Sequence, residues 1–350
     1  MVNGTYTSEL VNKDKLCKED VLFLLSSECD VDVLMKKADA VRSSVLGDEV
    51  FIRGIIEFSN YCRNDCNYCG IRKSNSKVGR YRMDPEQIID IAVSAVAKFG
   101  YKTILLQSGE DDYYTDEIIV KIVEGVLSKA DCRIALSIGE RPVDSYKRFY
   151  EVGARRVLIR FETSNPELYA GLHSGNPLAK NLFDERVALL NALHDIGYKI
   201  GSGMMVGLPG QTDEDLVDDI FFMRDNGVSM AGMGPFISHP DTPMAGNSGG
   251  EFWKMIKVIA IVRLVCPEMF IPSTTALQTI RPVDGRQIAL KAGANLLMPN
   301  VTPQKYRQKY LLYPDKVCIH ESADDCAGCV RGVVSSVGLT LGEGYGDPIL

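Results

Sequence analysis

Short apolar runs rich in β-branched residues alternate with helix-length amphipathic stretches through most of the 350-residue chain. This alternation predicts parallel strands joined by crossover helices. Eight such runs follow one another without a break in composition, so we predict an α/β fold, a (β/α)₈ TIM barrel. A partial barrel of six units with a separate C-terminal region is the alternative. The predicted strands lie at residues 55–59, 103–108, 133–138, 155–162, 200–208, 230–236, 269–274 and 294–300.

The first fifty residues lack the alternation and instead carry a helical pattern. Lys18–Ser26 and Val31–Leu46 place apolar side chains three and four residues apart, which predicts two amphipathic helices. We therefore expect an N-terminal helical extension, residues 1–50, packed on a barrel formed by residues 51–350 and ending in a cysteine-rich segment. The predicted crossover helices include residues 84–100, 115–129 and 213–227.

Charge and cysteine content limit the classes of function. A net charge of −7 argues against a general affinity for nucleic acid or for anionic membranes. The sequence contains no run of about 18 apolar residues that would predict a membrane span, and its beginning does not resemble a signal peptide. Ten cysteines in such a chain indicate a reducing compartment, where clustered cysteines bind metal more often than they form disulfides. The predicted location is the cytoplasm.

Three cysteines follow the first predicted barrel strand, at the carboxyl end where barrel enzymes carry their chemistry. Cys62, Cys66 and Cys69 have the spacing C-x₃-C-x₂-C. A structural zinc site uses four protein ligands, but the nearest histidine in the sequence is His173. A [4Fe–4S] cubane held through three of its irons leaves the fourth open to an exogenous ligand. The spacing therefore favours a [4Fe–4S] cluster over a zinc knuckle.

The triad, with Tyr68 before its third cysteine, resembles that of the radical S-adenosylmethionine (SAM) family. The resemblance implies that the open iron binds the amino and carboxylate groups of SAM. It also implies reductive cleavage of SAM to a 5′-deoxyadenosyl radical. No catalytic residue beyond the cluster and SAM is then expected.

Further segments at predicted strand ends resemble the SAM-binding pattern of the family. The resemblance implies that "QSGED" (107–111) holds the methionyl amine and that Glu162 accepts hydrogen bonds from the ammonium or ribose. It further implies that Arg186 binds the carboxylate and that the glycines of "MMVGLPGQTDED" (204–215) pack against adenine. Alternatively, Glu162 pairs with a neighbouring arginine and Arg186 is a solvated helix residue. The implied SAM contacts are Tyr68, Gln107, Ser108, Glu110, Glu162, Arg186, Met205 and Leu208.

Longer segments resemble the subgroup that contains the HydE maturases of [FeFe]-hydrogenase, biotin synthase and methylornithine synthase. The most specific are "GPFISHPDTPMAG" and "NLLMPNVTPQKYRQKYLLYP". The resemblance to HydE implies assembly of the hydrogenase di-iron subcluster from a small iron–cysteine, organometallic substrate. It implies other hydrogenase maturases and an electron donor such as ferredoxin or flavodoxin as partners. Phe161 stands where this family leads us to expect histidine, which could change the polarity near SAM.

The predicted barrel mouth is rich in thioethers, small residues and hydroxyls, without an obvious general base. This character suits a radical and a soft, largely uncharged or metal-bearing ligand, although the methionines could simply fill the barrel. A methylornithine synthase-like mutase and a non-catalytic iron–sulfur carrier remain alternative functions. Biotin synthase is disfavoured because no cysteines are predicted on the inner strands for a second, sacrificial cluster. The candidate substrate contacts are Met233, Thr274, Thr275 and Met298.

A second cysteine group follows the eighth predicted strand. Cys318, Cys326 and Cys329 have the spacing C-x₇-C-x₂-C. Three clustered thiols predict an auxiliary [2Fe–2S] or [4Fe–4S] cluster, completed by His320 or by a small exogenous ligand. We expect it near the barrel rim, well away from the first triad. Reduced surface cysteines are the alternative.

Overall fold

A computed structural model describes residues 2–175 and 182–347. Helices and strands alternate through most of the described residues. The helices are α1 Val2–Val11, α2 Lys18–Leu25, α3 Val31–Leu46, α4 Pro85–Phe99, α5 Asp116–Leu127, α6 Val143–Glu151, α7 Pro166–Leu172, α8 Leu182–Ile196, α9 Asp213–Asp225, α10 Phe252–Val265, α11 Thr275–Ile280, α12 Gly285–Lys291, α13 Gln304–Arg307 and α14 Ala323–Ser336. The strands are β1 Glu49–Ser59, β2 Thr103–Ser108, β3 Arg133–Ser137, β4 Ala154–Leu158, β5 Lys199–Ser202, β6 Met205–Val206, β7 Met230–Ala231, β8 Gly234–Pro235, β9 Leu296–Leu297 and β10 Thr340–Leu341.

Parallel strands form a ring. β1 pairs with β2, and the order continues through β3, β4, β5 and β7, with every pair parallel. Single parallel bridges, Met230 with Phe270 and Pro272 with Leu296, extend the ring to β9, which pairs with β1. The predicted α/β barrel is confirmed. Its second half is held by short strands and single bridges rather than by long strands.

The second half departs from the prediction in detail because its strands are interrupted. The runs predicted at 200–208 and 230–236 each divide in two, and β6 and β8 form a separate pair. At the first of these divisions a single parallel bridge joins Glu162 to Met204: the Glu162 amide donates to the Gly203 carbonyl (3.0 Å), and the Glu162 carbonyl accepts from the Met205 amide (2.9 Å). The run at 269–274 forms bridges only. Pro272 lies within it and lacks the amide hydrogen that a continuous ladder needs.

Local sequence signals fix the ends of the crossover helices. Gly100 ends α4 with a left-handed φ of 71°, a conformation that glycine adopts without steric cost. Thr212 and Asp215 form a reciprocal capping box at the start of α9. The predicted helices at 84–100, 115–129 and 213–227 therefore correspond to α4, α5 and α9 within one or two residues.

The N-terminal helices share a hydrophobic core with the barrel. Leu24 of α2 and Leu34 of α3 belong to the same buried cluster as Ile220 of α9 and Ile259 of α10. Burial of this apolar surface holds the helices against the barrel. The first barrel strand, β1, begins at Glu49, close to the predicted boundary at residue 50. The division of the chain into a helical extension and a barrel stays a prediction. None of the helices in the described ranges is both long and apolar enough to cross a bilayer.

The tail of the described chain covers the amino-terminal end of the barrel. β10 pairs with Glu49 and Val50 at the start of β1. The buried guanidinium of Arg156 donates to the carbonyls of Tyr345 (3.0 Å) and Gly346 (2.9 Å). It also forms an ion pair with Asp347. The opposite, carboxyl end of the ring is therefore the end available for a site.

Candidate functional site

One cavity of about 400 Å³ lies at the carboxyl ends of the strands. This size is typical of a pocket for a small-molecule ligand. Leu208, a predicted SAM contact, does not line it: that side chain is buried in a small apolar cluster with Met205. The predicted residues that do line the cavity are Cys62, Cys66, Tyr68, Cys69, Gln107, Ser108, Glu110, Glu162, Arg186, Met205, Met233, Thr274, Thr275, Met298, Cys318, Cys326 and Cys329.

The loop that carries the first triad is bound to the end of β2. The Arg63 amide donates to the Glu110 carbonyl (2.8 Å), and the Gly109 amide donates to the Ser59 carbonyl (3.0 Å). A Cβ on Gly109 would lie 2.2 Å from the Tyr61 carbonyl oxygen and 2.9 Å from Cys62 Cβ. Only glycine allows this approach. Gly109 of "QSGED" thus has a clear structural role beside the cysteines.

Arg80 ties the same loop together from within. Its guanidinium donates to the carbonyls of Ile71 (2.8 Å), Arg72 (2.6 Å) and Asn75 (3.2 Å), and also to that of Asn60. The Arg80 guanidinium thus donates to backbone carbonyls of a loop, which have no partners in a helix or a sheet. The three cysteines therefore lie on a loop that is held in place before any ligand binds.

Burial raises the pKa of each thiol of the triad. Burial, together with nearby Cys69 and Cys62, raises the pKa of Cys66 well above that of an ordinary thiol. Burial raises the pKa of Cys69 to about 12. Metal binding must displace the thiol protons, because thiolates are the ligands. No three His, Cys, Asp or Glu side chains among the described residues converge on a single ion. A cubane does not require this, since each thiolate binds a different iron.

Glu162 occupies a strained position in the cavity wall. Its φ is 67°, in the left-handed region that non-glycine residues seldom adopt. Tyr68 donates its hydroxyl hydrogen to Glu162 Oε1 (3.1 Å). Arg160 Nη2 forms an ion pair with Oε2 (2.9 Å), which is the pairing stated as the alternative for Glu162. Oε2 nevertheless accepts no hydrogen bond from the described residues. Strain and an unsatisfied buried oxygen at one residue are typical of a ligand-binding position.

Arg186 lies in the cavity wall and not on a solvated helix face. It is in the second turn of α8, and only 12% of its side chain is exposed. Its Nε donates to the Glu140 carboxylate and its Nη1 to the Arg160 carbonyl. Burial raises the pKa of the neighbouring Glu110 carboxyl group, although Arg186 and Arg63 oppose that shift. The guanidinium is thus oriented by protein groups at the edge of the cavity.

Charged residues that the sequence analysis missed line the deeper part of the cavity. Lys316 donates its ammonium hydrogen to Glu57, whose second carboxylate oxygen accepts from Asn300 Nδ2 (2.7 Å). Both members of this ion pair are buried, with side-chain exposures of 9% and 4%. Arg160 and Arg286 also line the wall. The cavity wall therefore carries buried charges in addition to the thioethers, small residues and hydroxyls expected from the sequence. Glu57, a single acid in the apolar run "GIIEF", was the available signal.

The second cysteine group also lines this cavity. Arg286 Nη2 donates to Cys329 Sγ (3.2 Å) and Arg307 Nη1 donates to Cys326 Sγ (3.3 Å). A hydrogen bond from Cys318 and the charge of Arg307 lower the pKa of Cys326. Cys318 itself has a positive φ of 65°. The hydrogen bond from Cys318 and the charge of Arg307 therefore favour the thiolate form of Cys326.

The structure also locates two further residues that the sequence analysis singled out. His320 is exposed, and its ring Nδ1 lies 3.3 Å from Gln308 Nε2, outside the cavity lining, so it is not placed to complete a cluster. Phe161, the residue found where histidine was expected, is fully buried against the ring of Phe222 (centroids 4.7 Å apart). It faces the apolar core and does not change the polarity of the cavity.

Comparisons with known proteins agree on one family. Residues 56–223 match the model of the radical SAM superfamily. The chain is 46% identical over 315 residues to the [FeFe] hydrogenase maturase subunit HydE of Thermotoga maritima, covering 90% of this chain and 88% of that protein. It is 29% identical to 3-methylornithine synthase of Methanosarcina acetivorans, covering 83% and 81% of the two chains. The crystal structure of methylornithine synthase (PylB) superposes with a TM-score of 0.82 at 25% identity, covering 96% and 97%.

The buried pair in the cavity wall yields a prediction about stability. Lys316→Met should lower the free energy of unfolding by about 3–5 kcal/mol, because it leaves the Glu57 carboxylate buried without its counter-charge. The double variant Glu57→Gln/Lys316→Met should recover most of this loss. Equilibrium urea unfolding measures both. Lys98→Met, which removes a pair between exposed side chains with Asp324, is the control and should cost less than about 1 kcal/mol. Equal losses in the single and double variants would contradict the prediction.

Proposed function

Because this chain belongs to the radical SAM superfamily and is 46% identical to a HydE maturase over 90% of its length, we propose that it is a radical SAM enzyme of [FeFe]-hydrogenase maturation. When bound, a [4Fe–4S] cluster supplies the electron that cleaves SAM to methionine and a 5′-deoxyadenosyl radical. One observation carries the proposal: the cysteine triad opens onto a cavity of ligand size at the carboxyl end of the barrel.

In this proposal Cys62, Cys66 and Cys69 hold the cluster, and neighbouring strand ends hold SAM. The unsatisfied Oε2 of Glu162 is suited to accept a hydrogen bond from the ammonium or ribose of SAM. Among the described residues, the hydrogen bonds of Arg186 use Nε and Nη1, and its Nη2 is the proposed donor to the SAM carboxylate. The remaining proposed SAM contacts in the cavity wall are Tyr68, Gln107, Ser108, Glu110 and Met205.

Leu208 acts indirectly in this arrangement. It packs with Met205 and Phe236 in an apolar cluster that also contacts Tyr68. Burial of these side chains fixes the wall on the proposed adenine side. Leu208 is therefore a positioning residue and does not contact SAM.

The protein must also exclude water from the radical. Tyr310 is fully buried, and its hydroxyl oxygen lies 3.5 Å from Gln107 Nε2. Tyr313 and Thr275 share a hydrogen bond of 3.0 Å across the cavity wall. These contacts hold the segment that follows α13 over the barrel mouth, where it limits access of solvent.

The proposed substrate is a small iron–cysteine complex. Met233 and Met298 offer soft thioethers to such a ligand, and Thr274 Oγ1 is buried in the wall without a hydrogen-bond partner in the described ranges. Arg160 and Arg286 add positive charge suited to a cysteine carboxylate or to anionic iron ligands. Other hydrogenase maturases and an electron carrier are the proposed partners. None of the ten cysteines, all of which lie in the described ranges, forms a disulfide, which supports the proposed reducing, cytoplasmic setting.

Two alternatives are less well supported. The fold is close to that of methylornithine synthase, but sequence identity is 29% for that relative against 46% for HydE. A non-catalytic iron–sulfur carrier would have no need for the strained Glu162 and the oriented Arg186 in the same cavity. The maturase function therefore accounts for more of the site.

Loss of one triad cysteine should abolish SAM cleavage. Cys66→Ala leaves two ligands, so anaerobically reconstituted protein should lose its SAM-responsive [4Fe–4S] EPR signal and produce no 5′-deoxyadenosine. EPR spectroscopy and chromatographic assay of 5′-deoxyadenosine measure the two effects. Cys132→Ala, which removes a buried thiol outside the cavity lining, is the control and should retain both. Normal cleavage by Cys66→Ala would refute the assignment.

The cellular role can be tested by complementation in extracts. Extracts that lack this protein should yield hydrogenase without its di-iron subcluster. Adding the purified protein with SAM and a reductant should restore hydrogen evolution, whereas Cys66→Ala should not. A gas-chromatographic hydrogen assay measures the result. Full hydrogenase activity in a strain that lacks this gene and has no paralogue would exclude the proposed role.

We further propose that Cys318, Cys326 and Cys329 bind an auxiliary [2Fe–2S] or [4Fe–4S] cluster that radical generation does not require. Changing all three to alanine should lower bound iron by about two to four atoms per chain, as loss of one cluster requires. SAM cleavage should survive. Iron analysis and the 5′-deoxyadenosine assay distinguish the outcomes: unchanged iron would mean that these thiols bind no cluster, and lost cleavage would make the cluster part of the catalytic machinery.

A further inference from the structure

We propose that the outer surface of the cysteine loop, residues 59–82 together with Lys309, is the docking face for an acidic one-electron carrier protein. We refer to it as the loop face. The inference rests on the proposed function, because it concerns how an electron reaches the cluster held by the triad. One electron leaves the reduced carrier and one enters the cluster. No proton or chemical group is transferred in this step.

The charge of the loop face is opposite to that of the whole chain. The chain carries a net charge of −7. Residues 59–82 contain one acid, Asp65, which forms a half-buried ion pair with Arg72. The same segment contains six basic residues, Arg63, Arg72, Lys73, Lys77, Arg80 and Arg82. A local excess of positive charge on an acidic protein favours approach of an acidic partner at this face over other faces.

Arg63 forms ion pairs with Glu110 and Asp112, and Arg82 forms one with Asp111, all three carboxylates lying outside residues 59–82. Other basic groups of the loop face keep their charge unpaired or only weakly paired. Lys73 and Lys309 are exposed and have no carboxylate partner within 4 Å among residues 2–175 and 182–347. Within the described part of the chain, Arg80 donates only to backbone carbonyls, which do not cancel its charge. Lys77 does form an ion pair, with Asp241, but 75% of its side chain is exposed. Exposed pairs of this kind are weak and can exchange partners.

The charges lie on a connected surface directly outside the triad. The Lys309 side chain lies against Gly79, about 3.7 Å from the position that a Cβ there would take. Asn60 Nδ2 donates to the carbonyls of both Gly79 (3.0 Å) and Lys309 (2.6 Å). On the other side, the Lys73 amide donates to the Asn64 carbonyl (2.9 Å), between the first two cysteine ligands. The basic groups therefore belong to the same ordered loop as the ligands.

Exposed aromatic rings flank the charges at one end. The Arg82 guanidinium lies 3.9 Å from the ring centroid of Tyr61 and 4.8 Å from that of Tyr113. Both rings are exposed, at 37% and 48%, and Tyr61 immediately precedes the ligand Cys62. Tyrosine and arginine are enriched at protein interfaces, and tyrosine buries much area with little loss of conformational entropy. The combination fits a protein partner with a complementary acidic rim.

Direct binding tests the loop face without requiring catalysis. Oxidised flavodoxin serves as the carrier probe, and its affinity for the reconstituted protein is measured by titration calorimetry at low and high salt. Wild-type binding should weaken as salt screens the charges. Lys73→Glu/Lys309→Glu should weaken it about tenfold or more at low salt. Carbodiimide, which joins lysines to carboxylates, should cross-link flavodoxin to Lys73 or Lys309 in the wild type.

A matched control and a second reductant separate this inference from the proposed function. Lys36→Glu/Lys129→Glu changes the net charge equally on exposed lysines outside the loop face and should leave binding unchanged. With dithionite as reductant, both double variants should cleave SAM at the wild-type rate, whereas reduced flavodoxin should serve the loop-face variant poorly. Failure of dithionite-driven cleavage in the wild type would count against the proposed function. Undiminished flavodoxin binding by the loop-face variant, or equal weakening in the control, would overturn the docking face alone.

Discussion

The parallel pairing of β1 with its neighbours is the interaction on which the rest of the architecture depends. β1 pairs with β2 on one side of the ring and with β9 and β10 along its length. The strand therefore links the N-terminal and C-terminal portions of the described chain. The cysteine loop begins directly where β1 ends. Any shift in the register of β1 would move the triad relative to β2 and close the gap that Gly109 provides.

The sequence predicted the features that depend on short-range patterns. Apolar periodicity identified the barrel order and helices such as α4 and α9, because each buries one face against a continuous core. The triad was predicted from spacing alone, and the accompanying family resemblance identified residues that line the same cavity. Strand interruptions at Gly203 and Gly232 were missed. They depend on close backbone contact between segments distant in sequence, which no local pattern encodes.

Charged residues inside the barrel were the hardest to predict. From the sequence alone, a lysine such as Lys316 is predicted to lie on the surface, since isolated buried lysines are rare. Its burial becomes favourable only when Glu57, far away in sequence, supplies the opposite charge. The same limit applies to Arg286 and Arg307, whose partners are cysteine sulfurs of the second group. Patterns along the chain predict which segments meet, but electrostatic pairing across the barrel follows only from the folded structure.

Closure of the ring by β9 has a consequence for the order of assembly. Ile52 pairs with Leu297, so β1 and the cysteine loop leave the ribosome long before their last partner strand exists. Pairing between such distant segments forms slowly, because a long loop must close first. During synthesis one edge of β1 remains unpaired and the triad thiols are unprotected. We therefore expect the cluster to be inserted after β9 has paired with β1. Before that point, the triad thiols are open to oxidation and the unpaired edge of β1 is open to aggregation.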